Sequence, residues 1–346
     1  MTETINLIVE TKTVTQILLL GFLSFAASMA LTPFYTTLAY KGKWWKRQRT
    51  DAWSGGKATV YAKLHAAKHK RDIPTMAGII FIASVALVTL IANLDRRETW
   101  LPLAAMLGAG MVGLLDDWIN IRGGNSNIAG MRSKVKFALH SMVALAGGWW
   151  FYDKLDVSSL NIFGFGSVQI GALVILLFWF VVVATANAVN MSDGLDGLAG
   201  GLVATSFGVY TIIAAVEGQY ALAGFCLCMV GALLSYTWFN INPARLFMGD
   251  SGSFALGTAL GVVAIQTDTI YVLPIIGAVY VAETGSVIIN RTSRKLRNGK
   301  KVFLSSPIHH HFEAIGWPET KVTMRFWILG QVSAVLGLML FLLGRQ

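Results

Sequence analysis

Cysteine is nearly missing from this chain. Cys226 and Cys228 stand two residues apart in one apolar run, which excludes a secreted disulfide scaffold and any CxxC zinc pattern. Charge is scarce as well: 13% of residues are Asp, Glu, Lys or Arg, about half of what a soluble domain carries. No basic segment precedes the first apolar run, where Lys12 is alone among acids such as Glu3 and Glu10, so a cleavable signal is not expected. Walker, HExxH, repeat and low-complexity patterns are absent from the sequence. What the chain has in abundance is apolar surface. Hydrophobic residues make up 55% of 346 positions and mean hydropathy is +0.59. Disorder is thereby excluded, and an all-α, polytopic integral membrane protein forming one domain over 1–346 is expected.

Apolar runs predict ten transmembrane helices at about 14–38, 74–94, 101–118, 134–152, 168–189, 195–216, 220–239, 252–267, 270–290 and 324–344. An even number puts both termini on one side. The loops at 40–73, 119–136, 240–251 and 290–323 hold 22 of the 28 Lys and Arg. Lys12, Arg96, Arg97, Lys154 and Arg345 lie on the other side, and Arg325 opens the last span. The basic excess marks the first set as cytoplasmic and both termini as outside. The net charge of +10 therefore reads as a topology signal, with no nucleic acid as partner. The dense segment Lys41 to Arg71, with Trp44 and Trp45, suits an anionic membrane leaflet, so membrane lipid is an expected partner.

Acids near hydrocarbon are costly and need a reason. Asp116 and Asp117 end an apolar run. Adjacent side chains on a helix point about 100° apart, so the two suit different tasks. A divalent metal or a Lys is their natural partner; a helix end meeting water is the plainer reading. In NAVNMSDGLDGLAGG, Asn187, Asn190, Asp193 and Asp196 recur every third residue, and Gly194 and Gly197 permit a break that gathers them. Amides and carboxylates suit a nucleoside base, ribose hydroxyls or hydrated Mg2+, or cap a loop between two spans. Asp250, between Gly249 and Ser251, opens a span as an N-cap or as a functional acid. Phe247 suits stacking on a base or anchoring its loop. Lys134 and Lys136 snorkel to headgroups or bind a substrate phosphate. His309, His310 and His311 cannot all face one metal; contact with phosphate or sugar fits them better, and a structural loop is the alternative. Glu283, inside the apolar run GAVYVAETGSVIIN, calls for a partner or an aqueous cleft, and the sequence assigns it no role. All these residues fall in or beside the cytoplasmic loops at about 40–73, 119–133, 190–195, 240–251 and 291–323, which puts the expected active site on the cytoplasmic face. Acids for a cation and cations for phosphates are the parts of phosphoryl transfer.

The pair at 116–117, NAVNMSDGLDGLAGG, NPARLFMGDSGSFALG, and SPIHHHFEAIGWPE followed by RFWI resemble the polyprenyl-phosphate N-acetylhexosamine-1-phosphate transferases. The triple-His segment resembles the muramoyl-pentapeptide branch of that family. The resemblance runs from about residue 70 to the C-terminus, and residues 43–68 match poorly. The family's GTPTMGG reads Asp72-Ile73-Pro74-Thr75-Met76-Ala77-Gly78 here. The resemblance implies a bacterial inner (cytoplasmic) membrane enzyme that moves phospho-MurNAc-pentapeptide from UDP-MurNAc-pentapeptide to undecaprenyl phosphate with Mg2+. It also implies Asp250 as leading metal ligand with Asp117 assisting, and Asp116 orienting or deprotonating the lipid phosphate. Direct in-line attack fits this, and a covalent aspartyl step is the alternative. Lys70, Asn190, Asp193, Asp196, Asn240 and Phe247 are implied as the uridine-diphosphate pocket. Lys136 is implied on phosphate, His309, His310 and His311 on the sugar-phosphate side, and a homodimer as the assembly. A UDP-GlcNAc sugar-1-phosphate transferase is the runner-up, and a non-catalytic transporter or lipid-binding scaffold comes third.

Overall fold

The structure, a computed structural model, describes residues 2–45, 71–122, 130–162 and 166–345. Its elements in chain order are α1 (Thr2–Lys41), α2 (Gly78–Ala92), α3 (Trp100–Arg122), α4 (Ser133–Asp153), β1 (Ser159–Ile162), β2 (Gly166–Gln169), α5 (Leu173–Ser192), α6 (Leu198–Val216), α7 (Tyr220–Asn240), α8 (Gly249–Gln266), α9 (Leu273–Ile276), α10 (Ala278–Leu296), α11 (Ile308–Ala314) and α12 (Glu319–Leu343). Each predicted apolar run holds a helix. Among the described residues six helices, namely α1 from Thr11, α3, α5, α6, α7 and α12, are long and apolar enough to cross a membrane. Leu18, Phe22 and Phe34 on α1 and Leu329, Val332, Leu336 and Met339 on α12 are exposed. Apolar surface on this scale belongs against lipid, and the molecule is a membrane protein.

The centre of the fold is α8, which packs against α2, α3 and α5 and is buried from Gly249 to Ile265. Its small residues explain this place. A Cβ on Gly257 would lie 2.6 Å from Thr185 O, and one on Gly113 of α3 would lie 2.3 Å from Asp250 O. Where lipid offers no hydrophobic drive, such close backbone approach is what binds helices together. The same device joins α1 to α7, where a Cβ on Gly231 would sit 2.0 Å from Gly21 O. Gly231→Ala is therefore expected to cost about 3 kcal/mol, the upper end for overpacking, visible as a lowered Tm in detergent. An unchanged Tm would mean that α1 and α7 are free to separate at this point.

Two stretches differ from the expectation. The run predicted to begin a helix at 168 is instead the second strand of an antiparallel hairpin, Ser159 opposite Gln169. Gly166 and Gly171, both at positive φ, punctuate the chain there and delay α5 to Leu173. Asp268 ties this hairpin down, its carboxylate accepting the Asn161 N–H at 3.0 and 3.2 Å. Burial raises the Asp268 carboxyl above its ordinary range, the Asn161 N–H opposes this, and nearby Glu217 adds to it. The predicted run 270–290 is divided at Gly277 into α9 and α10.

Candidate functional site

The ends of α3, α4 and α8 meet at four charged side chains. Asp116 and Asp117 are wholly buried near the end of α3, and Asp250 and Lys136 nearly so. Lys136 Nζ donates to Asp116 Oδ2 at 2.7 Å and to Asp250 Oδ2 at 2.5 Å. Asp116 Oδ1 also accepts the Met131 N–H at 2.5 Å. One ammonium thus holds two carboxylates from different helices. Lys134, two residues earlier, is exposed, so the structure separates the two lysines that the sequence left as alternatives.

Asp117 faces elsewhere. Its Oδ1 accepts the Asp250 N–H at 3.1 Å and its Oδ2 the Ser251 N–H at 2.9 Å. These are amides at the start of α8, where unpaired donors and the helix dipole favour a carboxylate. Gly249 has φ +72, and a Cβ there would lie 2.3 Å from Asp117 Oδ2, so only glycine lets the carboxylate reach these amides. Behind this group, one turn along each helix, His140 of α4 stacks on Phe254 of α8 with centroids 4.1 Å apart. Lys136 and His140 on one helix therefore face Asp250 and Phe254 on the other, and the double contact fixes their register.

The second wall is the turn at 193–197, where α5 ends at Ser192 and Gly197 takes φ +78. The glycine break expected there is present. Asn190 Nδ2 donates to Ser253 Oγ at 2.7 Å, linking this wall to α8. Asn187 bonds only one turn back, to Val183 O at 2.8 Å. Asp193 is half-buried at the helix end. Asp196 and Asn240 serve the scaffold. Asp196 Oδ2 accepts Asn242 Nδ2 and the Ala244 N–H, both at 3.0 Å. Asn240 accepts the Gly197 N–H at 2.9 Å and donates to Leu246 O at 2.7 Å. Glu319, which the sequence did not single out, accepts the Asp196 N–H at 2.7 Å.

Phe247 is half-buried in an extended stretch. Its N–H donates to Pro74 O at 2.9 Å and its carbonyl accepts the Ala77 N–H at 3.0 Å. On the far side Thr75 N–H donates to Trp44 O at 2.8 Å, so 74–78 is sandwiched between 44–45 and 247–248. Lys70 lies outside the described residues, as do Lys46, Arg47, Arg49, Lys63 and Lys68.

The three histidines ride on α11 and differ in setting. His309 is wholly buried, with Nδ1 2.9 Å from Glu283 Oε2. His310 Nδ1 is 2.7 Å from Glu313 Oε2. His311 Nδ1 accepts the Leu304 N–H at 3.3 Å. A Cβ on Gly194 would lie 2.2 Å from His309 Nε2, so α11 and the 193–197 turn are in contact. The partners Glu283, Glu313, His140 and Phe254 were not assigned from sequence. Of these only Glu283 carried a signal, as an acid inside an apolar run.

Fold and site define a membrane-embedded enzyme whose acids, amides, lysine and histidines gather at the ends of its helices. Residues 99–268 match the model of glycosyl transferase family 4. The chain is 38% identical to the phospho-N-acetylmuramoyl-pentapeptide-transferase of Geobacillus sp. (strain WCH70), over 91% of this chain and 95% of that protein. It is 37% identical to the same-named protein of Bacillus mycoides (strain KBAB4), over 91% and 94%. A third, from Anoxybacillus flavithermus (strain DSM 21510 / WK1), is 36% identical over 93% and 97%. The chain belongs to the phospho-N-acetylmuramoyl-pentapeptide-transferase family, and it is a transferase.

Proposed function

We propose that the chain transfers phospho-MurNAc-pentapeptide from UDP-MurNAc-pentapeptide to undecaprenyl phosphate, giving lipid I and UMP in peptidoglycan biosynthesis. In this reading ten helices cross the bacterial inner membrane, both termini lie outside, and the site opens to the cytoplasm. A homodimer is the expected assembly. The observation that carries the reading is the convergence of Asp116 and Asp250 on Lys136 Nζ beside the 193–197 turn and α11.

The donor set fits Mg2+. Two carboxylates already aim at one cationic position, and Mg2+ commonly takes one or two carboxylates with phosphate oxygens and waters completing its shell. Among the described residues no group of three or more His, Cys, Asp or Glu is set to hold a metal. Asp250 would be the leading ligand. Asp117, the assisting ligand, also holds the α8 amides from which the Asp250 side chain projects. When bound, the ion supplies charge neutralisation at the diphosphate and the departing UMP.

The chain's own residues do the rest. Asp116, backed by the Met131 N–H, orients the lipid phosphate and takes its proton. Lys136 meets phosphate charge as that group enters. Asn190 and Asp193 face the nucleoside, whereas Asp196 and Asn240 support the pocket by fixing the 193–197 turn and the 240–248 loop. Phe247 offers its ring to the base. Phe247→Ala is expected to weaken binding of the UDP substrate tenfold to a hundredfold, since stacking is worth about 1–3 kcal/mol per base. Calorimetry with the UDP substrate checks this, and unchanged affinity would remove the stacking role. The function itself is tested by UMP release from purified protein with Mg2+ and undecaprenyl phosphate. UDP-MurNAc-pentapeptide should be turned over and UDP-GlcNAc refused; the reverse preference would move the enzyme to another glycan.

A further inference from the structure

Glu283 stands in the second turn of α10 and is wholly buried, as is His309. A carboxylate so placed is costly unless a partner needs it. Its Oε2 lies 2.9 Å from His309 Nδ1 and 3.4 Å from the His309 backbone nitrogen, whose N–H it accepts. Among the described residues neither ring nitrogen makes an aligned hydrogen bond: Nδ1 meets the carboxylate at ion-pair distance only, and Nε2 is buried and turned to Gly194. At the next residue a carboxylate also meets Nδ1, there as a hydrogen bond, Glu313 Oε2 lying 2.7 Å from His310 Nδ1. His311 does the opposite, its Nδ1 accepting a backbone N–H. A carboxylate against Nδ1 keeps a proton on that nitrogen, fixes the ring's orientation and leaves Nε2 as the nitrogen that works.

We propose that Glu283 is a positioning residue of the donor site, holding His309 with its proton on Nδ1 and presenting Nε2 to the diphosphate or sugar of the donor at the 193–194 turn. The proposal rests on the transferase reading for the identity of the donor. Gly194 is the matching half of the device, because a side chain there would take the place of the Nε2 edge. It joins two sequence motifs more than a hundred residues apart through one ring.

The test uses the full chain in detergent with nitrogen-15 in its histidine rings, the His309→Asn variant identifying the His309 signals. In the native chain His309 should carry its proton on Nδ1 and none on Nε2. In Glu283→Gln the neutral amide accepts or donates with equal ease, so it no longer selects a tautomer. The signals should then become those of a mixture, and kcat/KM for UDP-MurNAc-pentapeptide should fall tenfold to a hundredfold, as for other groups that orient a working histidine. Unchanged His309 signals, or turnover within threefold of native, overturn the proposal. Should Glu283→Gln not fold, Gly194→Ala carries the test. It keeps Glu283 and displaces the ring, so native turnover in that variant overturns the proposal equally. A native chain that releases no UMP yet shows Nδ1-protonated His309 would sink the transferase reading and support the Glu283 pairing.

Discussion

Asp250→Ala is expected to abolish turnover in a protein that still folds. The loss should exceed the hundredfold to thousandfold typical of removing one electrostatic stabiliser, because the residue is asked both to hold Mg2+ and to fix its place against the phosphates. Survival of the fold follows from how the site is divided. The Asp250 N–H that Asp117 accepts belongs to the backbone and is untouched by the substitution. Lys136 retains Asp116 as its partner, so no buried charge is left alone. The close approach of Gly113 is to the Asp250 backbone as well, so the substitution leaves it unchanged. The measurement is UMP release over a wide range of Mg2+ concentration, with Tm recorded on the same preparations. Near-native activity in a folded variant would remove the metal assignment, and partial activity recovered by high Mg2+ would demote Asp250 to an assisting ligand. Asp117→Ala gives the contrasting pattern. Two buried amides lose their acceptors, at about 1–3 kcal/mol each, so stability falls along with activity.

Much of the architecture was legible because a membrane leaves few alternatives: apolar runs long enough to cross it form helices. The short, glycine-rich run of α8 proved central, since glycine and alanine allow α2, α3 and α5 to close around it. Position on the helix also forecast that Asp116 and Asp117 would take different jobs. Which residue took which job was not legible, for it depends on Gly249 admitting the Asp117 carboxylate to the first turn of α8 and on Lys136 arriving from another helix. The every-third-residue pattern of polar groups invited one common role. The structure divides it, giving Asp196 to the 242–244 loop and to Glu319, partners 46 to 123 residues away. Such partners follow only from tertiary packing. The hairpin at 159–169 was hidden for a different reason: a short apolar run beside glycines reads equally as the start of a helix.

Lys136→Met is the variant in which structure and metal chemistry should separate most clearly. The native ammonium lies between Asp116 and Asp250. Its removal strands two buried carboxylates that face one another, a loss of about 3–5 kcal/mol for a broken buried pair, and methionine fills most of the space without restoring charge. In a chelator the variant should therefore melt well below native protein, by roughly 2–4 °C for each kcal/mol if the domain behaves like those of 150–250 residues. Adding Mg2+ should then raise its Tm by several degrees, since whatever binds only the folded state stabilises it, while native protein, whose lysine already neutralises the acids, should respond much less. Turnover should stay at least a hundredfold down even in saturating Mg2+, because the lysine that meets the phosphate is gone. The double variant with Asp250→Ala removes one of the two stranded charges, so it should recover part of the lost stability in chelator and lose the response to Mg2+. If Lys136→Met responds to Mg2+ no more than native protein does, Asp116 and Asp250 are a structural pair bridged by lysine, and the ion must be held elsewhere.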